Sequence, residues 1–350
     1  MSKEVFDPDP DPCKESQGDN LPGRRKFLGS LAAGAGVAGL AGSLSAEEKQ
    51  LNSKLSADKK TRLDAAGAGK KFDWTPLKDR KGKSPKGQIG KVKLSRIIMG
   101  GNLIGGWAHA RDLIYVSKLI KAYHTRIKIF ETLRLGEACG VNAIIINPVM
   151  FGIMKDYARN GGGKEMQFIS DCASGELLTT IKKSIDAGAC SCYIQGGIAD
   201  NMVKSEQFDR IAKALEIIRK AGLPAGIGGH KLATIKGCVD KGLKPDYWMK
   251  TLHHTNYWSA KPTPQHDNIW CEKPEETIAY MEKRLEPWIA FKVLAAGAIH
   301  PKVGFKYAFE NGADFICVGM YDFQVVEDVN LVVDLFKGKK KPTRRRAWHG

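Results

Sequence analysis

The sequence lacks the spacings that announce metal and redox chemistry. It has no CxxC pair, no HExxH or HxxxH spacing and no zinc-finger arrangement of Cys and His. A helical zinc site, a CxxC redox couple and a zinc-finger reader are therefore excluded. A persuasive membrane span is missing as well, because the one Ala/Gly-rich apolar stretch near the N-terminus is short and rich in glycine. Negative charge is scarce: 38 acidic residues stand against 55 basic ones, a net charge of +17. No aromatic-basic signature accompanies that excess, so nucleic acid is not an expected partner. What is present is ordinary for a globular protein. With 350 residues, 43% apolar and 27% charged, the chain can bury a full core in one large domain or two modest ones.

Residues 23–45 read GRRKFLGSLAAGAGVAGLAGSLS. The Arg24-Arg25 pair, Phe27-Leu28 and the weakly apolar stretch after a polar leader resemble a twin-arginine export signal. The resemblance implies the twin-arginine export machinery as a partner, a periplasmic or cell-envelope location, and export as a folded chain. Ala41, Ser43 and Ser45 offer cleavage sites, with no choice among them. No stable membrane span would remain after processing. The chain divides into a signal segment (1–46), a polar basic linker (47–87), a folded part (88–336) and a basic tail (337–350). The basic runs at both ends, KGKKKPTRRR (337–346) among them, read as solvated tails. Binding to an anionic surface is the sharper alternative. Eight cysteines are scattered, and seven would remain after processing. Their apolar surroundings suit small buried hydrophobes rather than a disulfide framework, and Cys190 and Cys192 are expected in the core.

From Gln88 to Phe336, short apolar runs alternate with amphipathic stretches. Eight runs read as strands: 96–100, 142–146, 167–171, 191–195, 225–229, 247–251, 290–295 and 315–319. Between them, EQFDRIAKALEIIRKAG places Phe208, Ile211, Ala212, Leu215 and Ile218 on one helical face. That helix should stop at Gly222-Leu223-Pro224. Apolar strands alternating with helices predict a parallel sheet. Eight such units with no midpoint predict a single-domain (β/α)8 TIM barrel, with an open doubly wound sheet as the alternative.

Four stretches resemble the aldo/keto reductase superfamily: GQIGKVKLSRIIMGGNLIGG (87–106), KIFETLRLGEACGVNAIIINP (128–148), WIAFKVLAAG (288–297) and GADFICVGMYDFQVVEDVNLV (312–332). They are similar to that family's N-terminal hairpin and first strand, its first helix and second strand, and its seventh and eighth strands. The family's catalytic Asp, Tyr, Lys and His do not carry over. Ile145, Met150 or Phe151, Asp171-Cys172 and Gln195 stand at the matching places. The family's phosphate-binding turn after the eighth strand implies Gly319 and Met320 as cofactor-binding residues, and AAGAIHPKVG (295–304), which resembles the phosphate-binding turn of other barrels, adds Gly297. Yet Asp322, Glu327 and Asp328 make that region acidic, so the cofactor stays unknown and NAD(P)H is weakly supported.

In a (β/α)8 barrel the working residues sit at the C-terminal rim of the strands. The candidates there are Lys250 and Lys292 as cationic or Schiff-base groups and His230, His253 and His254 as proton-transfer groups, with Asp171 as the orienting carboxylate. Each also has a bland reading: a snorkelling lysine, a capping histidine, an ion pair. DYWMKT and FKVLAAGAI loosely resemble the paired lysine strands of deoxyribose-phosphate-type aldolases. Asn102, Asn147 and Gln195 are candidate substrate contacts, and Tyr257 and Trp258 a wall or lid. A metal held by these histidines would have to assemble in three dimensions, and its identity stays open. The expected substrate is a small polar carbonyl or sugar-like compound, handled by a reductase with an unusual proton donor or by a Schiff-base lyase. A non-catalytic envelope protein that kept the barrel is the third reading.

Overall fold

The computed structural model describes residues 75–110, 113–257, 259–260, 271–337 and 343–350. The signal segment, most of the linker and Trp258 lie outside them. Two strands, β1 (Lys86–Ile89) and β2 (Val92–Ser95), pair antiparallel. Gly90, at φ 56°, opens the two-residue connection between them, a backbone region that L-residues with a Cβ rarely enter. Eight strands follow, all parallel: β3 (Ile97–Gly100), β4 (Ala143–Ile146), β5 (Gln167–Ser170), β6 (Ser191–Ile194), β7 (Ala225–Gly229), β8 (Tyr247–Thr251), β9 (Trp288–Phe291) and β10 (Phe315–Val318). Each pairs with the next, and β10 pairs back onto β3, so the sheet closes. The expected (β/α)8 barrel is present.

Alternate residues of each strand divide between two cores. Ile98, Ile145, Ile169, Tyr193, Tyr247 and Phe315 fill the barrel interior, and Ile89 and Leu94 of the β1–β2 hairpin join them. The hairpin therefore plugs the N-terminal end. Ile97, Ile144, Ile194, Ile227, Trp248 and Trp288 face outward and pack on the helices. The helix Phe208–Lys220 buries Ile211, Ala214, Leu215 and Ile218, a spacing of three, four and seven that makes one apolar stripe. Ala212, expected on that face, is exposed, because one step past Ile211 turns it away and Ala214 fills the place. Burying each large side chain there contributes about 1.5–3 kcal/mol.

Two boundaries differ from expectation. β9 runs Trp288–Phe291 rather than 290–295, because Lys292 takes φ 56° and ends the extended backbone. The folded part also begins before Gln88: Ser84 N–H donates to Cys139 O (2.9 Å), and Lys81 N–H donates to Asn330 Oδ1 (2.7 Å).

In the basic tail, Lys337 and Arg345 are exposed as a solvated run would be, but two arginines depart from that reading. Arg344 and Arg346 are buried beneath the barrel. Arg346 Nη1 donates to Asp314 Oδ2 (2.6 Å), and its other nitrogens reach the carbonyls of Arg284 and Glu286. His349 N–H and Trp288 N–H complete the shell around Asp314, each at 2.9 Å. Trp348 lies between the guanidinium groups of Arg344 (3.4 Å) and Arg96 (4.3 Å). Charge alone suggested solvent, but a fully buried carboxylate at the start of β10 recruits the arginines. Among the described residues no helix is long and apolar enough to cross a membrane.

Candidate functional site

Loops that follow the parallel strands build the C-terminal mouth. At the end of β5, Ile169 points inward and Ser170 outward to Ser184 of the helix Leu177–Asp186. Alternation therefore turns Asp171 towards the mouth. It accepts from Ala173 N–H (3.0 Å) and from the Asn147 amide (3.3 Å). Burial pushes its pKa up to about 6 against both hydrogen bonds. Asn147 is thus a support for Asp171, and its Oδ1 also caps the turn Pro148–Met150. The next residue, Cys172, has φ 52°. Four of the five described non-glycine residues with left-handed φ follow β5 or β9: Cys172, Lys292, Ala295 and Ala296. Strain of this kind gathers at functional rims.

His230 follows β7, and its ring lies edge-on to Phe291 at 5.3 Å, over the end of β9. The orienting carboxylate is Asp200, not Asp171. Asp200 Oδ2 lies 2.9 Å from His230 Nδ1, and Asp200 also accepts from His230 N–H and Thr234 Oγ1. Burial would raise the Asp200 pKa, but the hydrogen bonds from His230 and Thr234 and the attraction of His230 hold it below the usual carboxylate value. Space for the ring comes from Gly196, where an added Cβ would sit 2.9 Å from both Cε1 and Nδ1 of His230. Asp200 lies within the helix Gly196–Lys204 and no motif marked it. The pair Gly196-Gly197 opening that helix was the available signal.

Lys250 is placed differently from expectation. Tyr247 and Met249 face the interior, whereas Trp248 and Leu252 belong to the outer core. Lys250 therefore shares the outward face. Its ammonium is fully buried and runs along the strand to the rim, donating to His230 O (2.7 Å), Thr251 O (3.1 Å) and Thr251 Oγ1. Burial lowers its pKa to about 8. It is a clamp between the β7 and β8 loops, with no face open to the mouth.

Lys292, the first residue past β9, is half-buried at the rim. Burial lowers its pKa to about 8 also. It lies near enough to lower the proton affinity of two histidines, His253 and His109. For His109, which sits in the excursion after β3 and was not anticipated, burial is the larger cause. His253 is held in one tautomer. Its Nε2 accepts from Cys271 N–H (3.0 Å), so its Nδ1 carries the proton and donates to His254 O (2.9 Å). Burial, opposed by that carbonyl, takes its pKa down to about 4. His253 is thus a neutral pin and not a proton shuttle. His254 Nδ1 accepts from Asn256 N–H (3.2 Å), and its ring packs against Tyr257 and Tyr307. Its Nε2 is buried and meets no hydrogen-bond partner among the described residues. Burial lowers its pKa.

The remaining candidates divide. Gln195 caps the helix Gly196–Lys204 by accepting from Ile198 N–H (3.1 Å). The Asn102 side chain is exposed. Tyr257 packs beside both histidines. Among the described residues no group of three or more His, Cys, Asp or Glu side chains is placed to hold a metal ion.

The anticipated phosphate cradle does not fit a nucleotide. Met320 is buried, and Gly319 lies against Leu103. The first turn of the helix Asp322–Lys337 already carries the buried Asp322 carboxylate, which accepts from Tyr123 OH (2.6 Å) and Lys128 Nζ (2.9 Å). Tyr321 stacks between the His124 and Phe323 rings. Gly297 is exposed, and the helix Pro301–Glu310 beyond it is capped by His300 Nδ1. A helix N-terminus that holds its own carboxylate repels a phosphate. The catalytic tetrad of the reductases is likewise missing, with Ile145 inside the barrel core and Gln195 serving as a cap.

No known family profile matches the chain, and no curated protein sequence matches it. Solved structures do. A protein described as an aldo-keto reductase of Pseudomonas aeruginosa superposes with a TM-score of 0.50 at 14% identity, over 73% of this chain and 97% of that one. A phospho-2-dehydro-3-deoxyheptonate aldolase of Thermotoga maritima gives 0.43 at 13% identity, over 84% and 95%. At such identity the likeness to the reductase establishes the barrel fold and leaves the chemistry to the residues at the mouth.

Proposed function

We propose that this chain is an aldo/keto-reductase-like barrel enzyme with a non-standard site, acting on a small polar carbonyl compound through Lys292. The supporting observation is the placement of Lys292: a half-buried ammonium of depressed proton affinity, on strained backbone at the end of β9. An amine with a pKa near 8 has a usable neutral fraction at neutral pH. Its lone pair attacks the carbonyl carbon, the carbonyl oxygen takes up two protons and leaves as water, and an imine remains. His230, oriented by Asp200, is the group suited to moving those protons. Asp171, part-protonated near neutrality, is suited to hydrogen-bonding a substrate hydroxyl. Lys250 takes the place of a structural clamp rather than the nucleophile.

The test is borohydride trapping of the full chain with glyceraldehyde, read by peptide mass spectrometry. Reduction should fix the adduct on Lys292. Lys292→Met should abolish it, while Lys250→Met, which keeps the length and fills the space, should retain it. Labelling of surface lysines at random, with Lys292 no more reactive than the rest, would end this reading. The resemblance of residues 23–45 to an export signal supports action in the periplasm or envelope. Replacing Arg24 and Arg25 by lysine should then hold the protein in the cytoplasm on cell fractionation.

A further inference from the structure

The excursion between β3 and the helix Arg126–Ala138 carries the helix Val116–Tyr123, whose inner face is fully engaged. Ile120 is buried, Ser117 Oγ donates to Gly106 O (2.5 Å), and Tyr123 OH donates to Asp322. An amphipathic helix so anchored should turn a polar face outward. Here the outer face is apolar and cationic instead. Ile114 is 91% exposed, Leu119 62% and Tyr115 58%. Tyr115, Lys118, Leu119 and Ala122 share one side by their spacing, with Lys121 next to them. Trp107 lies nearby, since Lys121 packs its stem on the adjoining Gly106. From Leu113 to Phe130 the sequence contains no acidic residue. Arg126 is engaged by Asp156, but among the described residues neither Lys118 nor Lys121 enters an ion pair.

We infer that this face docks the mouth of the barrel on an anionic phospholipid surface. Exposed large apolar side chains beside lysines, with an aromatic at the edge, match the apolar layer and the charged headgroups of a bilayer interface. Charge decides against the main competitor. A second copy of the chain would bring Lys118 and Lys121 against like charges, whereas phosphatidylglycerol headgroups neutralise them. The helix of eight residues lies on the surface rather than crossing it. The same excursion carries His109 beside Lys292, so docking would turn the mouth towards the lipid.

The experiment is co-sedimentation of the full chain with vesicles of phosphatidylglycerol and phosphatidylcholine, compared with phosphatidylcholine alone. Binding should require the anionic lipid and weaken with salt. Ile114→Asp with Leu119→Asp should weaken it by about tenfold or more, and Lys118→Glu with Lys121→Glu by on the order of thirtyfold. Both variants should keep the wild-type unfolding temperature. Because residues 23–45 are apolar and could bind vesicles themselves, hydrogen exchange locates the contact. Slowed exchange at residues 113–123 supports the inference. Protection confined to residues 23–45, unchanged binding by both variants, absence of binding, or a lipid-independent dimer abolished by Ile114→Asp with Leu119→Asp would each overturn it.

Discussion

Asp171 bears the desolvation of the mouth. Its folded pKa of about 6 lies above the 3.8 of the free side chain. Between those values the native state binds more protons than the unfolded state. Stability therefore falls as pH rises through about 6, and the protonated form is the favoured one below. Asp171→Asn removes the charge and keeps an acceptor for Ala173 N–H. It should gain up to roughly 3 kcal/mol over the wild type at pH 8 and about 0 at pH 3, by urea midpoint. A gain equal at both pH values would contradict burial as the cause. Lys250 shows what the sequence hides at this scale. Its closeness to the rim was legible from the end of the run YWMKT. Its direction was not, because a parallel strand buried on both faces reads as one apolar run, and Tyr247 and Trp248 look alike in it.

The strands were the most legible elements. All eight were marked by short β-rich runs bounded by turn residues, and only β9 was misplaced, since a left-handed Lys292 leaves no mark in composition. Asp200 was hidden for the opposite reason: a carboxylate within a helix looks like a solvated charge until a strand end brings His230 to it. That pairing depends on Gly196 at the helix start. Gly196→Ala should push the ring off Asp200 and cost about 1–3 kcal/mol of stability, with imine trapping at Lys292 slowed by about tenfold or more. Gly152→Ala is the matched control, because its new methyl meets nothing within 4 Å. If both substitutions trap at the wild-type rate, His230 has no part in the proton transfer.

At the scale of the whole molecule, two opposite ends have separate tasks. The mouth gathers the titratable groups, and the base is closed by the hairpin and by Arg344, Arg346 and Trp348. Arg346→Ala leaves Asp314 buried without its main partner and should cost about 3–5 kcal/mol in a denaturant titration. Arg346→Ala combined with Asp314→Asn should recover part of that loss, and failure to recover would assign the effect to packing instead. The barrel was legible from alternation alone, but this closure was not, because the two halves of the ion pair lie 32 residues apart in the chain. The base therefore depends on a short terminal stretch: a fusion or a proteolytic trim at residues 344–350 would strip Asp314 of its guanidinium partners and loosen the floor while leaving the mouth chemically intact.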